Sequence, residues 1–405
     1  MVQVTAVVTT GIYCRPGCGA KPREDNKRYF AVPAAAEAAG YRACLRCRPY
    51  RIPLTVPSSA PELVCRAVGL ILDGFLDDSN ENELGRRLGL SGRHLRRLFA
   101  DHLGVSPSGL ARSARTHFAR RLLDETDLQI IEIAFAAGFG SLRQFNRACQ
   151  DVFGAPPSVL RAKRHKSDRL VADGGLALRL PFVGALDWTA MARYFAAHAT
   201  PGVEHVSGEV YRRTVTVAGD PGVLELAPGD GDHLIVRAHL PHWEEMVHLV
   251  ARTRHIANLD RPEARPPGTW DPFETGVSAI VARHLGAPAA KATLGRLVAR
   301  VGTAVPGLQQ FGLTHTFPSP RTLASTDLDD VGVPWAAAAG VRAFADAVVS
   351  GAVALDRSVS LDALVASVSE LDGVDRLTAE YLAFRLGSEA PAMHSQPLME
   401  QGVRS

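Results

Sequence analysis

Residues 83–99 read ELGRRLGLSGRHLRRLF, and residues 130–154 read IIEIAFAAGFGSLRQFNRACQDVFG. Both have the pattern of helix, turn, helix. In the first, Leu84 and Leu88 share one helix face, Gly89–Leu90–Ser91 makes the turn, and Ser91 is a good N-cap for the next helix. Leu95, Leu98 and Phe99 then recur at helical spacing and point inward, leaving Arg93, Arg96 and Arg97 outside. In the second, Gly138 supplies the turn and Ser141 the cap. Leu142, Phe145 and Cys149 are placed inward, and Arg143, Gln144, Asn146 and Arg147 outward. Arg, Gln and Asn are the side chains suited to guanine and adenine edges. Two such units joined by a helix over 106–125 predict an all-α reader of duplex DNA. The plain alternative is packed helices whose basic faces are merely solvated.

Outward from this core the chain divides in three. Residues 1–52 are basic and Cys-rich, and PLTVPSSA at 53–60 is a Pro/Ser linker. Residues 61–165 are the helical reader, followed by the polar linker 166–175. Residues 176–405 form the last block. LALRL, YRRTVTVAG and HLIVRAHL alternate apolar and polar over 176–245 and predict strands. From 246 to 405 the pattern is helical and Ala-rich. The reading is a multidomain α+β protein.

The net charge of +3 conceals an asymmetry: residues 1–169 hold 26 Lys/Arg against 16 Asp/Glu, a net +10, and residues 170–405 hold 19 against 26, a net −7. A basic front half suits a polyanionic partner. With 46% hydrophobic and 21% charged residues the chain is neither disordered nor a disulfide-dense miniprotein. It has no apolar run long enough for a membrane span and no signal-peptide pattern, which predicts a cytoplasmic, nucleoid-associated protein without a membrane partner.

Cys14, Cys18, Cys44 and Cys47 fall as C-x3-C, a 25-residue gap and C-x2-C. Two close pairs separated by a loop can close a tetrahedral four-thiolate site, and zinc is the metal such a donor set favours, one ion per chain. An iron–sulfur cluster is the alternative; a disulfide pair fits a cytoplasmic protein poorly. Lys21, Arg23, Lys27, Arg46 and Arg48 surround the cluster and could grip a DNA backbone. Cys65 and Cys149 are expected to be core residues on apolar helix faces.

VVTTGIYCRPGCGAKPREDN, followed by GYRACLRCRP, resembles the N-terminal domain of the Ada DNA-methylation response family over residues 6–49. In that family the first Cys of the CRPxC motif is both zinc ligand and methyl acceptor; the resemblance places that role on Cys14. It implies irreversible repair of methylphosphotriesters, one methyl per protein. Only 13 residues precede Cys14, where the family carries a longer lead-in, so either the start is truncated or this block is packed differently. The paired helix-turn-helix units resemble the AraC-type regulators, whose recognition helices enter successive major grooves. That implies promoter DNA, and RNA polymerase as a further partner.

Residues 176–405 resemble the AlkA-type alkyladenine DNA glycosylases. RPPGTWDPFETGVSAIV matches the start of their helical core, and LDGVDRLTAEYLAFRLG at 371–387 their helix-hairpin-helix. That hairpin grips a DNA phosphate through backbone N–H groups of a Gly-rich turn, which implies the role for Gly373. Here the turn reads Gly373–Val374–Asp375, so Asp375 puts a negative charge where a phosphate approaches, and Leu377 stands where the family has Trp. Tyr381 keeps an aromatic for a flipped base. The family's catalytic Asp has no counterpart in 376–405: by count its position is Pro397, or His394 with a short gap, and the only acidic side chains of the tail beyond Gly387 are Glu389 and Glu400. Arg283–His284–Leu285–Gly286 also departs from the family, and the chain stops at Ser405, where the family continues. The expectation is an alkylation-response DNA-binding protein with a zinc-thiolate sensor, a double helix-turn-helix and an impaired glycosylase domain. The competing readings are a working 3-methyladenine glycosylase with the front half as targeting module, and a zinc block that is purely structural.

Overall fold

The computed structural model describes residues 4–52, 54–170, 175–182, 184–259, 267–328 and 331–387. The chain forms two compact units, Met1–Phe182 with His242–Arg252, and Val183–Pro241 with Thr253–Ser405. Each unit combines strands and helices, and among the described residues no helix is long and apolar enough to cross a membrane.

The first unit opens with a small sheet. Strand Val4–Val7 pairs antiparallel with Ile12–Cys14 on one side and Lys27–Phe30 on the other, and Ile12–Cys14 pairs parallel with Arg42–Ala43. The parallel register sets Tyr13 against Ala43, which brings Cys14 alongside Cys44. Helix Pro33–Ala38 buries Ala34, Ala35 and Ala36. A block of this size encloses little core of its own. Val32, Ala34 and Ala35 accordingly join Val64, Leu84, Leu95, Phe99 and Leu110 in one hydrophobic cluster shared with the first helix-turn-helix.

Helix Glu81–Arg87 starts at a capping box of Asn80 and Glu83, and helix Gly92–Leu103 starts at Ser91, whose hydroxyl accepts from the His94 N–H. The two cross closely: a Cβ on Gly85 would lie 2.9 Å from the Gly92 nitrogen. Helix Pro107–Glu125 joins this unit to the second, built from Ile130–Ala136 and Leu142–Phe153, the latter capped by Ser141.

Two inward placements fail. Leu142 is 38% exposed, because it is the first residue of its helix and the face reaches the core only from Phe145 onward. Cys65 is exposed; helix Glu62–Leu72 packs through Val64, Ala67, Val68 and Ile71, and Cys65 lies about 100° around from Val64. Cys149 is buried.

In the second unit, strands Glu204–Ser207, Val210–Val217, Asp220–Pro228 and His233–His239 run as an antiparallel meander. Its helical part packs Phe273, Val277, Ile280, Leu297, Phe344 and Leu382 together, with the Phe273 and Phe344 rings stacked 5.5 Å apart. Helices Leu361–Ser369 and Arg376–Leu386 form the hairpin. Its turn holds Gly373 at φ +75, where a Cβ would also stand 2.9 Å from the Gly340 nitrogen and 3.0 Å from the Ala336 carbonyl. Only glycine satisfies both conditions.

Candidate metal centre and DNA-binding sites

The parallel pairing of Ile12–Cys14 with Arg42–Ala43 and the short turns after Cys14 and Cys44 bring the sulfurs of Cys14, Cys18, Cys44 and Cys47 within 4.8 Å of one another. Tetrahedral zinc with Zn–S bonds of about 2.3 Å holds its sulfurs roughly 3.8 Å apart. The donor set therefore fits, and four sulfurs with no carboxylate select zinc over harder cations. The Arg15 N–H points at the Cys47 sulfur at 3.4 Å and the Cys47 N–H at the Cys44 sulfur at 3.5 Å, orienting the ligands. Hydrogen bonding to Cys47, reinforced by burial, drives the Cys14 thiol far up, while the same bond pulls Cys47 down to about 5. A divalent cation neutralises part of the charge that four thiolates would carry, and these cysteines hold one zinc ion. Cys14 is 7% exposed and is buried, while the other three are half-buried.

Tyr13, next to Cys14 on its strand, opens a largely buried polar group with no signal in the sequence. The Tyr13 hydroxyl donates to Glu37 Oε1 at 2.6 Å, and His117 Nε2 lies 2.6 Å from that oxygen and 3.1 Å from the hydroxyl. The basic residues around the cluster divide. Lys21, Arg23 and Arg46 are exposed; Lys27 pairs with Glu24 at 2.7 Å; Arg48 turns inward onto Asp168 at 2.7 Å.

On helix Gly92–Leu103, Arg93, Arg96 and Arg97 are exposed, with Arg96 pairing to Glu81 at 3.2 Å and Arg97 within 3.1 Å of His94. On helix Leu142–Phe153, Arg143, Gln144 and Arg147 are exposed. Asn146 is half-buried and donates its amide to the Leu142 carbonyl at 2.9 Å.

The second unit contains a polar cavity lined by Tyr194, His198, Arg213, Trp270, Glu274 and Tyr381 among others. Arg213 is buried; it pairs with Glu274 at 2.8 Å and Glu204 at 3.3 Å and lies over the Trp270 ring at 4.8 Å. Burial pushes Glu274 up to about 7 against the pull of Arg213. Arg385 sits over both the Tyr194 and Tyr381 rings, at 5.5 and 5.8 Å, and donates to the Tyr381 hydroxyl and the Gly268 carbonyl. Of this group only Tyr381 is evident in the sequence, although Tyr211 and Arg213 do share the buried face of one strand.

At the hairpin, Asp375 caps helix Arg376–Leu386. One carboxylate oxygen accepts from the Thr378 N–H at 2.9 Å and hydroxyl at 2.6 Å, and the other from Arg283 Nε at 2.6 Å. Partial burial raises the acid, but Thr378 and Arg283 outweigh it and hold Asp375 below the ordinary carboxylate range. The carboxylate thus occupies the helix start beside Gly373. Glu389, His394, Pro397 and Glu400 lie outside the described residues.

A four-thiolate zinc block sharing its core with a double helix-turn-helix, followed by a sheet and a helical bundle with a helix-hairpin-helix, defines a zinc-bearing, DNA-binding protein with an appended glycosylase-type domain. The profile described as the metal binding domain of Ada matches residues 2–50, a helix-turn-helix domain matches 84–163, and the AlkA N-terminal domain matches 177–266. A probable bifunctional transcriptional activator/DNA repair enzyme AlkA of Mycobacterium tuberculosis is 34% identical over 94% of this chain and 82% of its own length. DNA-3-methyladenine glycosylase 2 of Escherichia coli is 28% identical over 49% of this chain and 77% of its own. The bifunctional transcriptional activator/DNA repair enzyme Ada of the same organism is 28% identical over 43% and 47%. The chain belongs to the family of bifunctional transcriptional activator/DNA repair enzymes of the Ada/AlkA type.

Proposed function

We propose that the chain senses alkylated DNA by taking a methyl group from a backbone methylphosphotriester onto Cys14, and regulates transcription through its two helix-turn-helix units. The gathering of the four sulfurs is the observation that carries this reading. Zinc keeps the sulfurs ionised at neutral pH. The Cys14 sulfur attacks the methyl carbon; the S–C bond forms, the C–O bond breaks, and its electron pair returns to the phosphate as a phosphodiester anion. The thioether is permanent, so each chain turns over once. Four thiolates on a divalent ion carry −2, which repels phosphates, whereas a phosphotriester is locally neutral and can approach. After transfer the site carries −1.

Lys21, Arg23 and Arg46 are free to grip the backbone near the lesion, and Arg93, Arg97, Arg143, Gln144 and Arg147 present their side chains to the grooves. RNA polymerase is the partner an activator of this design requires, and the cytoplasmic nucleoid is its place of action. The second unit is an impaired glycosylase domain, a reading supported by Asp375 filling the anion position of the hairpin. Alkyl-base excision is the second reading, favoured by the cavity that holds Tyr194, Trp270 and Tyr381. The test is stoichiometric: zinc-loaded chain incubated with phosphate-methylated duplex should remove about one phosphotriester per chain and stop. Continued turnover, or removal undiminished by Cys14→Ala, would refute the assignment.

A further inference from the structure

Tyr13 immediately precedes Cys14 on strand Ile12–Cys14, and its ring is wholly buried. Its hydroxyl leads directly into Glu37 and His117. Glu37 belongs to helix Pro33–Ala38 of the zinc block; His117 lies midway along helix Pro107–Glu125, which connects the two helix-turn-helix units. The His117 ring in turn packs 6.4 Å from Phe153, the last residue of the second recognition helix. Tyr50, from the end of the zinc block, meets the same Phe153 edge-on at 5.5 Å and donates to Asp124, on the long helix, at 3.1 Å. An unbroken line of contacts therefore runs from the methyl-accepting strand to the end of a DNA-reading helix.

We propose that Tyr13, Glu37 and His117 are positioning residues that transmit the methylation state of Cys14 to helix Leu142–Phe153. Methyl transfer removes one negative charge from the thiolate cluster. In a buried, weakly screened environment a unit charge acts strongly on nearby dipoles and hydrogen bonds. The Tyr13 hydroxyl is such a group: it belongs to the residue next to Cys14, its ring is wholly buried, and it donates to Glu37 at 2.6 Å. It shares one carboxylate oxygen with His117, so a change in its hydrogen bond alters the contact that His117 makes. Because the zinc block and the first reader share a hydrophobic core, a change at this join moves packed elements and is not absorbed by a flexible tether. Coupling of this kind appears as a ratio of affinities between the two states of the sensor.

The inference rests on Cys14 being the methyl acceptor. The test uses the full zinc-loaded chain and a duplex selected from random sequence by the methylated wild type. Affinity for that duplex is measured before and after methylation, for wild type, Tyr13→Phe and Glu37→Gln. Wild type should gain several-fold on methylation. Each variant should keep one zinc, accept one methyl and bind like wild type before methylation, yet lose more than half of the logarithmic gain. A merely structural role lowers both affinities together and leaves the ratio intact, and that result would overturn the proposal. Should Tyr13→Phe lose zinc, Glu37→Gln, which alters no neighbour of a ligand, decides alone. Failure of the wild type to accept a methyl group would remove the sensor reading itself, and the link with it, and is read separately in the same experiment.

Discussion

At the scale of single residues, the chemistry turns on where a few charges are committed. Arg48 and Arg96 look equivalent to their basic neighbours in the sequence, yet Arg48 is spent on Asp168 and Arg96 on Glu81, because acidic partners distant in sequence fold against them. Asp375 is the reverse case: its negative charge at the hairpin is plain in the sequence, and the structure adds that it both caps a helix and pairs with Arg283. Replacing it should therefore be tolerated. A glycine N-cap costs only a few tenths of a kcal/mol, and a half-exposed ion pair is worth roughly 1 kcal/mol or less. With Arg143 and Arg147 changed to Ala, to suppress the reader by roughly 1–3 kcal/mol per lost base contact, Asp375→Gly should strengthen the residual duplex binding. The slope of log affinity against log salt should steepen by roughly 0.9, one added phosphate contact. An unchanged slope would show that the turn does not meet a phosphate.

At the scale of elements, the helix-turn-helix units were legible because their signals are local: caps, turn glycines and the spacing of buried leucines lie within about 17 to 25 residues of one another. Phe145, Cys149, Leu95 and Phe99 are buried as the periodicity requires. Leu142 escaped that rule because periodicity fixes a face and says nothing of where along the helix the core begins. Tyr13, Glu37 and His117 were illegible because they meet only in three dimensions, as do Arg213, Glu274 and Arg385. Segment His242–Arg252 is another long-range case: it joins the first unit although it follows the sheet of the second. His248 bonds the Leu72 carbonyl through Nδ1 and the Asp77 carboxylate through Nε2, both at 2.6 Å. Both partners are acceptors, so both ring nitrogens carry protons. Burial opposes the charged ring, but these bonds win and raise its pKa above the ordinary value. A group with a raised folded pKa stabilises fully below its unfolded value of about 6.5 and less as pH rises through its folded value. Thermal melts of the full chain should thus show the first unit losing stability from about pH 6.5 upward, and His248→Gln should flatten that slope. An identical slope in the variant would refute the pin.

At the scale of the whole molecule, a sensor, a reader and a glycosylase-type domain lie on one chain, and the first two are built as one unit. The cysteine spacing carried the metal site in the sequence, and the flanking words carried the family. The sharing of a core between zinc block and reader could not be read there, since neither block contains the other's partners. The central claim is that Cys14, within the zinc-thiolate cluster, is the atom that records damage. The direct measurement is peptide mass spectrometry of the zinc-loaded chain after exposure to phosphate-methylated DNA. The account predicts a single added methyl group on the peptide that contains Cys14, at no more than one per chain, with the peptides of Cys44, Cys47, Cys65 and Cys149 unmodified. A methyl group on another cysteine, or none on Cys14 while zinc is bound and DNA is engaged, would contradict it.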